Sequence, residues 1–310
     1  MSFNTELLIL WYKFHKKIRD FFESRGYLEV NTPKMGEYAT IDTNIASFVT
    51  EDESGKKFYL QTSPEYYHKE LLGYGMEQIF EMNSAFRNEP QESIHNPEFL
   101  ILEWYRVGKD YNFMMDETES LIRELYQKEG KCVPYDFERK SVCELFQEYA
   151  NIDLSKCLER ESLATVYKKL GLKFCDDDNW DTLFFKIFLT KIEPNFKNRA
   201  IFVYDYPEKM GAMARTKKDD PRFAERFELY IDGMELCNGY SELTDYNIQR
   251  RRFERDIDER KRLEMPVYPI NTRFLDALKR GIPDCTGNAM GVERLFAVIH
   301  GIESIHEFLL

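Results

Sequence analysis

A chain of 310 residues with 43% hydrophobic content can bury a large core, as one big domain or as a domain with an inserted lobe, and disorder is excluded as its ground state. A formal net charge of −12 excludes the overall basic footprint of a stand-alone nucleic-acid binder, leaving only a local basic patch open. The cysteines (Cys132, Cys143, Cys157, Cys175, Cys237 and Cys285) form no CxxC pair and have five histidines to join them, which argues against zinc and for free thiols in a reducing cytoplasm.

Leu7, Trp11, Phe14, Ile18 and Phe22 recur at helical spacing, and Gly26 stands where a helix C-terminal glycine would. The apolar run Leu7 to Tyr12 is too short to span a bilayer, and the charged segment 13–19 follows it without a cleavage-like site, so neither a signal peptide nor a membrane span is expected. Tyr27 to Val30 reads as a short strand stopped by Pro33, because proline cannot donate to a sheet ladder. Ser63-Pro64-Glu65 has the grammar of a helix start, with Ser63 as N-cap and Pro64 at the first helical position, and the helix is expected to reach about Gly73.

Extended stretches around Gln78 to Phe86 and Glu98 to Arg106 flank the polar segment Asn88 to Asn96, which predicts a hairpin with a long loop. Along the second stretch, strand alternation puts Leu100, Leu102 and Trp104 on a core face and Phe99, Ile101, Glu103 and Tyr105 on the other. That second face suits either a polar side turned to water or a pocket floor that stacks a base and grips an ammonium. Arg87 lies at the mouth of the loop, a residue type expected where phosphate charge is neutralised with defined geometry.

A mostly helical pattern, strongest from Asp116 to Phe196, predicts an inserted or peripheral lobe over about 113–198. Strands are expected again near Ile201 to Tyr204 and over Phe227 to Gly239, followed by a highly charged helix from about Asn247 to Glu264. Asp232-Gly233 between strand-like runs is a strong hairpin signal. With those two residues as the loop, Glu228 pairs with Cys237 and shares a face with Glu235. Two carboxylates placed diagonally within roughly 7–8 Å suit either a divalent ion bridged by phosphate or an ordinary solvent-facing pair. After Gly287 and Gly291, which mark either a ligand floor or a bend, Arg294 begins the amphipathic run Val292 to His300. Helices and strands in mixed order, with hairpins, predict an α+β domain whose antiparallel sheet is flanked by helices.

Three of these segments resemble the signature motifs of class II aminoacyl-tRNA synthetases, lysyl branch: GYLEVNTP at Gly26 to Pro33, FRNEPQESIHNPEFLILEWY at Phe86 to Tyr105, and GNAMGVERL at Gly287 to Leu295. TSPEYYHKELL and ELCNGYSELTD are lysyl-type text as well. Lysyl-tRNA synthetases carry an anticodon-binding domain ahead of the first motif, whereas here that motif falls within the first thirty or so residues, at Gly26 to Pro33. Over nearly its full length the chain is instead similar to the elongation factor P (R)-β-lysine ligase family, a short paralogue of those synthetases.

The resemblance implies a single class II synthetase-like catalytic domain that uses ATP and Mg²⁺. It would activate (R)-β-lysine or lysine as an adenylate and hand it to a lysine of elongation factor P. It implies Arg87 and Arg294 as the catalytic charges, and Asn88, Glu89, His95, Asn96, Phe99, Glu235, Leu236 and Gly291 beside them around ATP, with Phe99 on the adenine. Glu228 and Glu235 match the metal ligands. Ser63, Pro64, Glu65, Glu103, Tyr105, Asn238, Glu242 and Ala289 match the substrate pocket, Glu65 near the backbone amine and Glu242 at the side-chain ammonium. Ala289 stands where lysyl-tRNA synthetases usually have glycine, and Asn288, Glu293 and the loop text PQESI depart from the synthetase pattern. A cytoplasmic homodimer, with Pro33 and the first helix at its interface and without stable tRNA binding, is the implied state. Rival readings are a reduced synthetase charging tRNA and a non-catalytic binding subunit.

Overall fold

The computed structural model describes residues 5–42 and 45–309. The chain folds as two compact units, the first formed by the described residues up to Cys132 and from Gly239 onward, the second by Val133–Asn238.

In the first unit the helix Thr5–Ser24 buries Trp11, Phe14, Ile18, Phe21 and Phe22, the stripe its spacing predicts. It stops at Gly26, whose φ of +79° only glycine adopts cheaply. Leu28–Glu29 follows as a two-residue strand, parallel to Gln78–Phe86. Gln78–Phe86, Glu98–Val107 and Cys285–Gly291 then run antiparallel side by side, with Glu81 opposite Glu103 and Glu103 opposite Ala289. The sheet of this unit is thus antiparallel at its centre and parallel at one edge, which the sequence pattern did not distinguish.

Register decides what each face of this sheet does. Phe80 pairs with Trp104 and Met82 with Leu102, and Phe22 of the first helix stacks on Phe80 at 4.8 Å between ring centroids. Burying side chains of this size stabilises the unit by about 1.5–3 kcal/mol each. The opposite face carries Glu81, Asn83, Ile101, Glu103 and Tyr105, all buried, so it is not turned to water. A helix, Glu65–Gly73, supplies residues to that face and packs on Thr272–Arg280 through the stacked rings of Tyr66 and Phe274. Its first helical residue is Glu65, with Pro64 one position earlier than expected, at the N-cap. The Glu65 N–H still bonds to Ser63 Oγ, at 3.1 Å, so Ser63 satisfies one free donor of the first turn from one residue further out. The charged helix is Tyr246–Arg262, and the last long one is Val292–His300, as its pattern predicts.

The second unit pairs Phe137–Ser141 parallel with Ala200–Pro207, which runs antiparallel to Phe223–Ile231; Met234–Ser241 lies next to the latter strand. Helices Val142–Ala150, Arg160–Lys169 and Trp180–Ile187 share a core that includes Phe146, Tyr167, Phe184, Ile201 and Val203. Asp232 and Gly233 have φ of +52° and +80°, the pair of left-handed residues a two-residue hairpin turn requires. Among the described residues no helix is long and apolar enough to cross a membrane.

Candidate active site

The polar face of the first unit holds a cluster of charges almost without water. Glu81, Glu103 and Glu242 are each no more than 2% exposed, and Glu65 at the start of its helix is mostly buried. The same helix places His68 and Lys69 against them. Lys69 Nζ lies 2.7 Å from Glu65 Oε1 and 2.5 Å from Glu242 Oε2. His68 Nε2 lies 2.8 Å from Glu81 Oε2, and its Nδ1 stands 3.6 Å from Glu103 Oε2. Burial opposes the imidazolium, but Glu103 and Glu81 outweigh it and raise the His68 pKa. Four carboxyl groups then face two cations, a surplus of two acids over bases.

Individual oxygens show where that surplus points. Glu103 accepts from Ser63 Oγ at 2.5 Å and from the Tyr105 hydroxyl at 3.1 Å. Glu81 accepts from the Thr32 N–H, the Thr32 hydroxyl and Asn83 Nδ2, so it is a structural anchor. Glu242 Oε1, by contrast, is buried without a hydrogen-bond donor. Burial raises the pKa of Glu242 while Lys69 pulls it back, and Glu65 shows the same two opposed causes. Burial outweighs Lys69, so Glu242 is pushed up to about 8 and Glu65 is raised as well, and an incoming ammonium would favour the ionised form of each. Gly287 leaves the needed room: a Cβ there would stand 2.6 Å from Glu242 Oε1 and overlap the Tyr105 ring. Ala289, directly opposite Glu103, puts its methyl on the same floor.

Two more groups of expected residues come together in this unit. The Arg87 guanidinium stands 5.1 Å from the centre of the Phe99 ring, and its buried Nε lacks a partner. Arg294 Nη2 lies 2.6 Å from His95 Nε2, and burial together with Arg294 lowers the His95 pKa, leaving a neutral ring that accepts from the guanidinium. Gly291 is the N-cap of the Arg294 helix. Asn88 and Asn96 make local bonds, Asn88 N–H to the Ala46 carbonyl and Asn96 Nδ2 to the Glu98 carbonyl. The Glu89 N–H bonds to the Arg87 carbonyl. Glu293 is buried and accepts the Leu100 N–H at 2.6 Å, whereas Asn288 bonds Thr118 behind the sheet, so both departures from the synthetase pattern serve packing.

The second unit holds Glu228, Glu235, Leu236 and Asn238. Glu228 is 8% exposed, which rules out the solvent-facing reading for that carboxylate. Its oxygens accept from the Tyr206 hydroxyl at 2.5 Å, the Tyr230 hydroxyl at 2.7 Å and Arg226 Nη2 at 2.7 Å. A bulge between Tyr204 and Tyr206, with Asp205 at φ +59°, aims Tyr206 at it. Burial, then Glu228, push both phenols well above their usual range, and Glu235 adds to the push on each, so the two glutamates act on one locus. Arg226 Nε also donates to Asn238 Oδ1 at 3.1 Å, and Leu236 is buried. Among the described residues no three acidic, His or Cys side chains form a metal cluster. Two carboxylates remain the donor set that Mg²⁺ takes when waters and phosphate oxygens complete its shell.

Sequence reasoning missed His68, Lys69, Glu81 and Arg226. The signals were there: Lys69 is four residues after Glu65, one helical turn, and Glu81 shares its strand face with Asn83 between the apolar Ile79 and Ala85.

A fold of this kind with such a face has counterparts among known proteins. A family model described as tRNA synthetases class II (D, K and N) matches residues 2–310. The elongation factor P–(R)-β-lysine ligase of Pasteurella multocida is 38% identical over 315 residues, covering 99% of this chain and 95% of that protein. The ligases of Haemophilus influenzae and Proteus mirabilis are each 39% identical, covering 94% and 96% of this chain and 90% and 92% of theirs. The chain belongs to the elongation factor P–(R)-β-lysine ligase family, within the class II synthetase fold.

Proposed function

We propose that the chain activates the carboxylate of a lysine-type diamino acid with ATP and transfers the acyl group to a lysine side chain of elongation factor P. The observation that carries this reading is the buried cluster of four carboxyl groups around two cations, with the donor-free Glu242 Oε1, which suits a substrate bearing two ammonium groups. The names of the relatives supply the acceptor and the β-lysine isomer.

In the first step a carboxylate oxygen attacks the α-phosphorus of ATP and the bond to pyrophosphate breaks. In the second, a lysine amine of the acceptor attacks the adenylate carbonyl, AMP leaves and an amide forms. Neither step demands a strong acid or base from the protein, so its contribution is position and charge. Arg87 is assigned to the α-phosphate, Arg294 to the terminal phosphate and Phe99 to the adenine face. Glu65 takes the amine nearer the carboxylate, and Glu242, with Glu103 and Tyr105, takes the side-chain ammonium. Ser63 and Pro64 set the helix entry beneath the substrate, while Asn238, Leu236, Gly291, His95, Asn96, Asn88 and Glu89 complete the contacts. Mg²⁺ bound through Glu228 and Glu235 would neutralise phosphate charge.

The leading test is pyrophosphate exchange with α-lysine, (R)-β-lysine and (S)-β-lysine in parallel, followed by mass analysis of elongation factor P. No exchange with any of them, in a folded chain, refutes the reading; charging of purified tRNA in place of the factor would redirect it. A homodimer is part of the proposal, supported by the exposed apolar side chains Ile9, Leu10 and Tyr12 on the first helix and Leu28 and Met35 after it. Light scattering of the purified chain checks it.

A further inference from the structure

Lys69 has no assigned role, yet it is among the largest side chains buried with under 2% exposure. A lysine is rarely placed so deep, because its ammonium must be compensated on every side. Here the compensation comes from two carboxylates, Glu65 and Glu242, at 2.7 and 2.5 Å. The rings of Tyr240 and Phe274 stand 5.9 and 6.0 Å from the same nitrogen and close off its surroundings. One face of the ammonium is therefore tied to the start of its own helix, one turn back, and another to the residue just beyond Ser241 at the end of a strand.

These two carboxylates are the ones assigned above to the two amino groups of the substrate, and this inference rests on that assignment. Because both bond to the same nitrogen, neither can move without the other losing its partner. Each has one oxygen that Lys69 does not hold; for Glu242 this is Oε1, which lies beside Gly287 without a donor. We propose that Lys69 is a specificity-determining positioning residue, an internal ammonium that fixes the separation of Glu65 and Glu242 so that the pocket measures the distance between the two amino groups of its substrate.

A cation of this kind does more than neutralise. If it only relieved repulsion between two acids, any arrangement that kept the fold would serve, and discrimination between diamino acid isomers would not depend on it. As a spacer it has a different signature. Moving one amine from the second to the third carbon changes the distance to be matched while leaving the charge, the carboxylate and the number of atoms the same. Neighbouring His68 takes no part in this spacing, since its partners are Glu81 and Glu103.

The experiment compares the full chain with its Lys69→Arg and Lys69→Met variants in pyrophosphate exchange with α-lysine and (R)-β-lysine, with the KM for ATP and the unfolding midpoint measured alongside. Lys69→Arg keeps the charge and changes the spacing, so it tests the proposal even where Lys69→Met does not fold. The expected result is that the ratio of kcat/KM for the two isomers moves toward one by at least fivefold in Lys69→Arg, carried by the amino-acid KM, with the ATP KM within twofold of wild type. An unchanged ratio in a folded Lys69→Arg overturns the inference, as does a wild-type chain that uses both isomers equally. A wild-type chain that activates no diamino acid at all refutes the function proposed above, a separate outcome.

Discussion

Replacing Glu242 by Gln keeps the volume and removes the charge at the atom where the site is least satisfied. In wild type, Glu242 Oε2 faces Lys69 at 2.5 Å, and Oε1 is buried beside Gly287 without a donor. The carboxamide can still accept from Lys69, which also keeps Glu65 at 2.7 Å, so the local fold has a way to survive. What it cannot offer is a second anionic oxygen to an arriving ammonium. Truncating one side of a buried, hydrogen-bonded charge pair costs about 2–5 kcal/mol, which corresponds to roughly 30- to 5,000-fold in kcat/KM. The loss is expected in the amino-acid KM above all, because the ammonium lies away from the reacting carboxylate and is bound alike before and during the attack. Pyrophosphate exchange at varied diamino acid and at varied ATP separates the two terms. Wild-type exchange in Glu242→Gln refutes the role, and an equal loss of affinity for ATP refutes the assignment to the ammonium.

Arg294→Ala should lower single-turnover adenylate formation by about 100-fold or more, the usual cost of one charge-stabilising donor, with the amino-acid KM little changed; a rate near wild type removes Arg294 from the phosphate site. Gly287→Ala forces a Cβ to within 2.6 Å of Glu242 Oε1 and into the Tyr105 ring, both fully buried, so the fold should lose about 1–3 kcal/mol and diamino acid binding should weaken; urea unfolding and exchange kinetics report each. Glu293 has its pKa pushed up to about 7 by burial, with the Leu100 N–H opposing. A raised folded-state value means its contribution is full below the ordinary carboxyl range, near 4.5, and is lost as pH rises through about 7. Glu293→Gln should therefore be more stable relative to wild type at pH 8 than at pH 5, by up to about 3 kcal/mol in urea titrations, and equal differences at the two pH values would contradict the burial argument.

Strand parity was the most productive signal in the sequence. It sorted Leu102 and Trp104 from Glu103 and Tyr105 correctly, because a pleated strand leaves no other choice, and the Asp232-Gly233 turn adopts the two positive φ values its residues favour. It could not say that both faces of Glu98–Val107 are buried, since that depends on a helix, Glu65–Gly73, brought over one face from elsewhere in the chain. The parallel edge pairs, Leu28–Glu29 with Ile79–Phe80 and Phe137–Ser141 with Ala200–Tyr204, were equally invisible, because two to five residues carry too little pattern to give direction. For the supporting residues the signal was weaker: the spacing of Glu65 and Lys69 and the polar Glu81 could be read in the sequence, but the partners of His68 and Arg226 are recognised only once they have coordinates.

The cost of the polar face explains why those supporting residues exist. A buried ion pair is often no more stable than apolar packing of the same volume, and an unpaired buried charge is far worse. On the function proposed, a fold that holds two carboxyl groups for two ammonium groups must therefore bury further charges to position them before the ligand arrives. His68 and Lys69 meet that need from adjacent positions on one helix, yet they do it for different partners: His68 joins Glu103 to the Thr32-anchored Glu81, and Lys69 joins Glu65 to Glu242. Because each cation serves two carboxyl groups, the acids outnumber their cations, and Glu242, pushed up to about 8 by burial, keeps an Oε1 without a donor. On the function proposed, an entering ammonium would supply the partner that Glu242 lacks, and the desolvation already incurred on folding would favour a doubly charged substrate over a neutral one of the same shape.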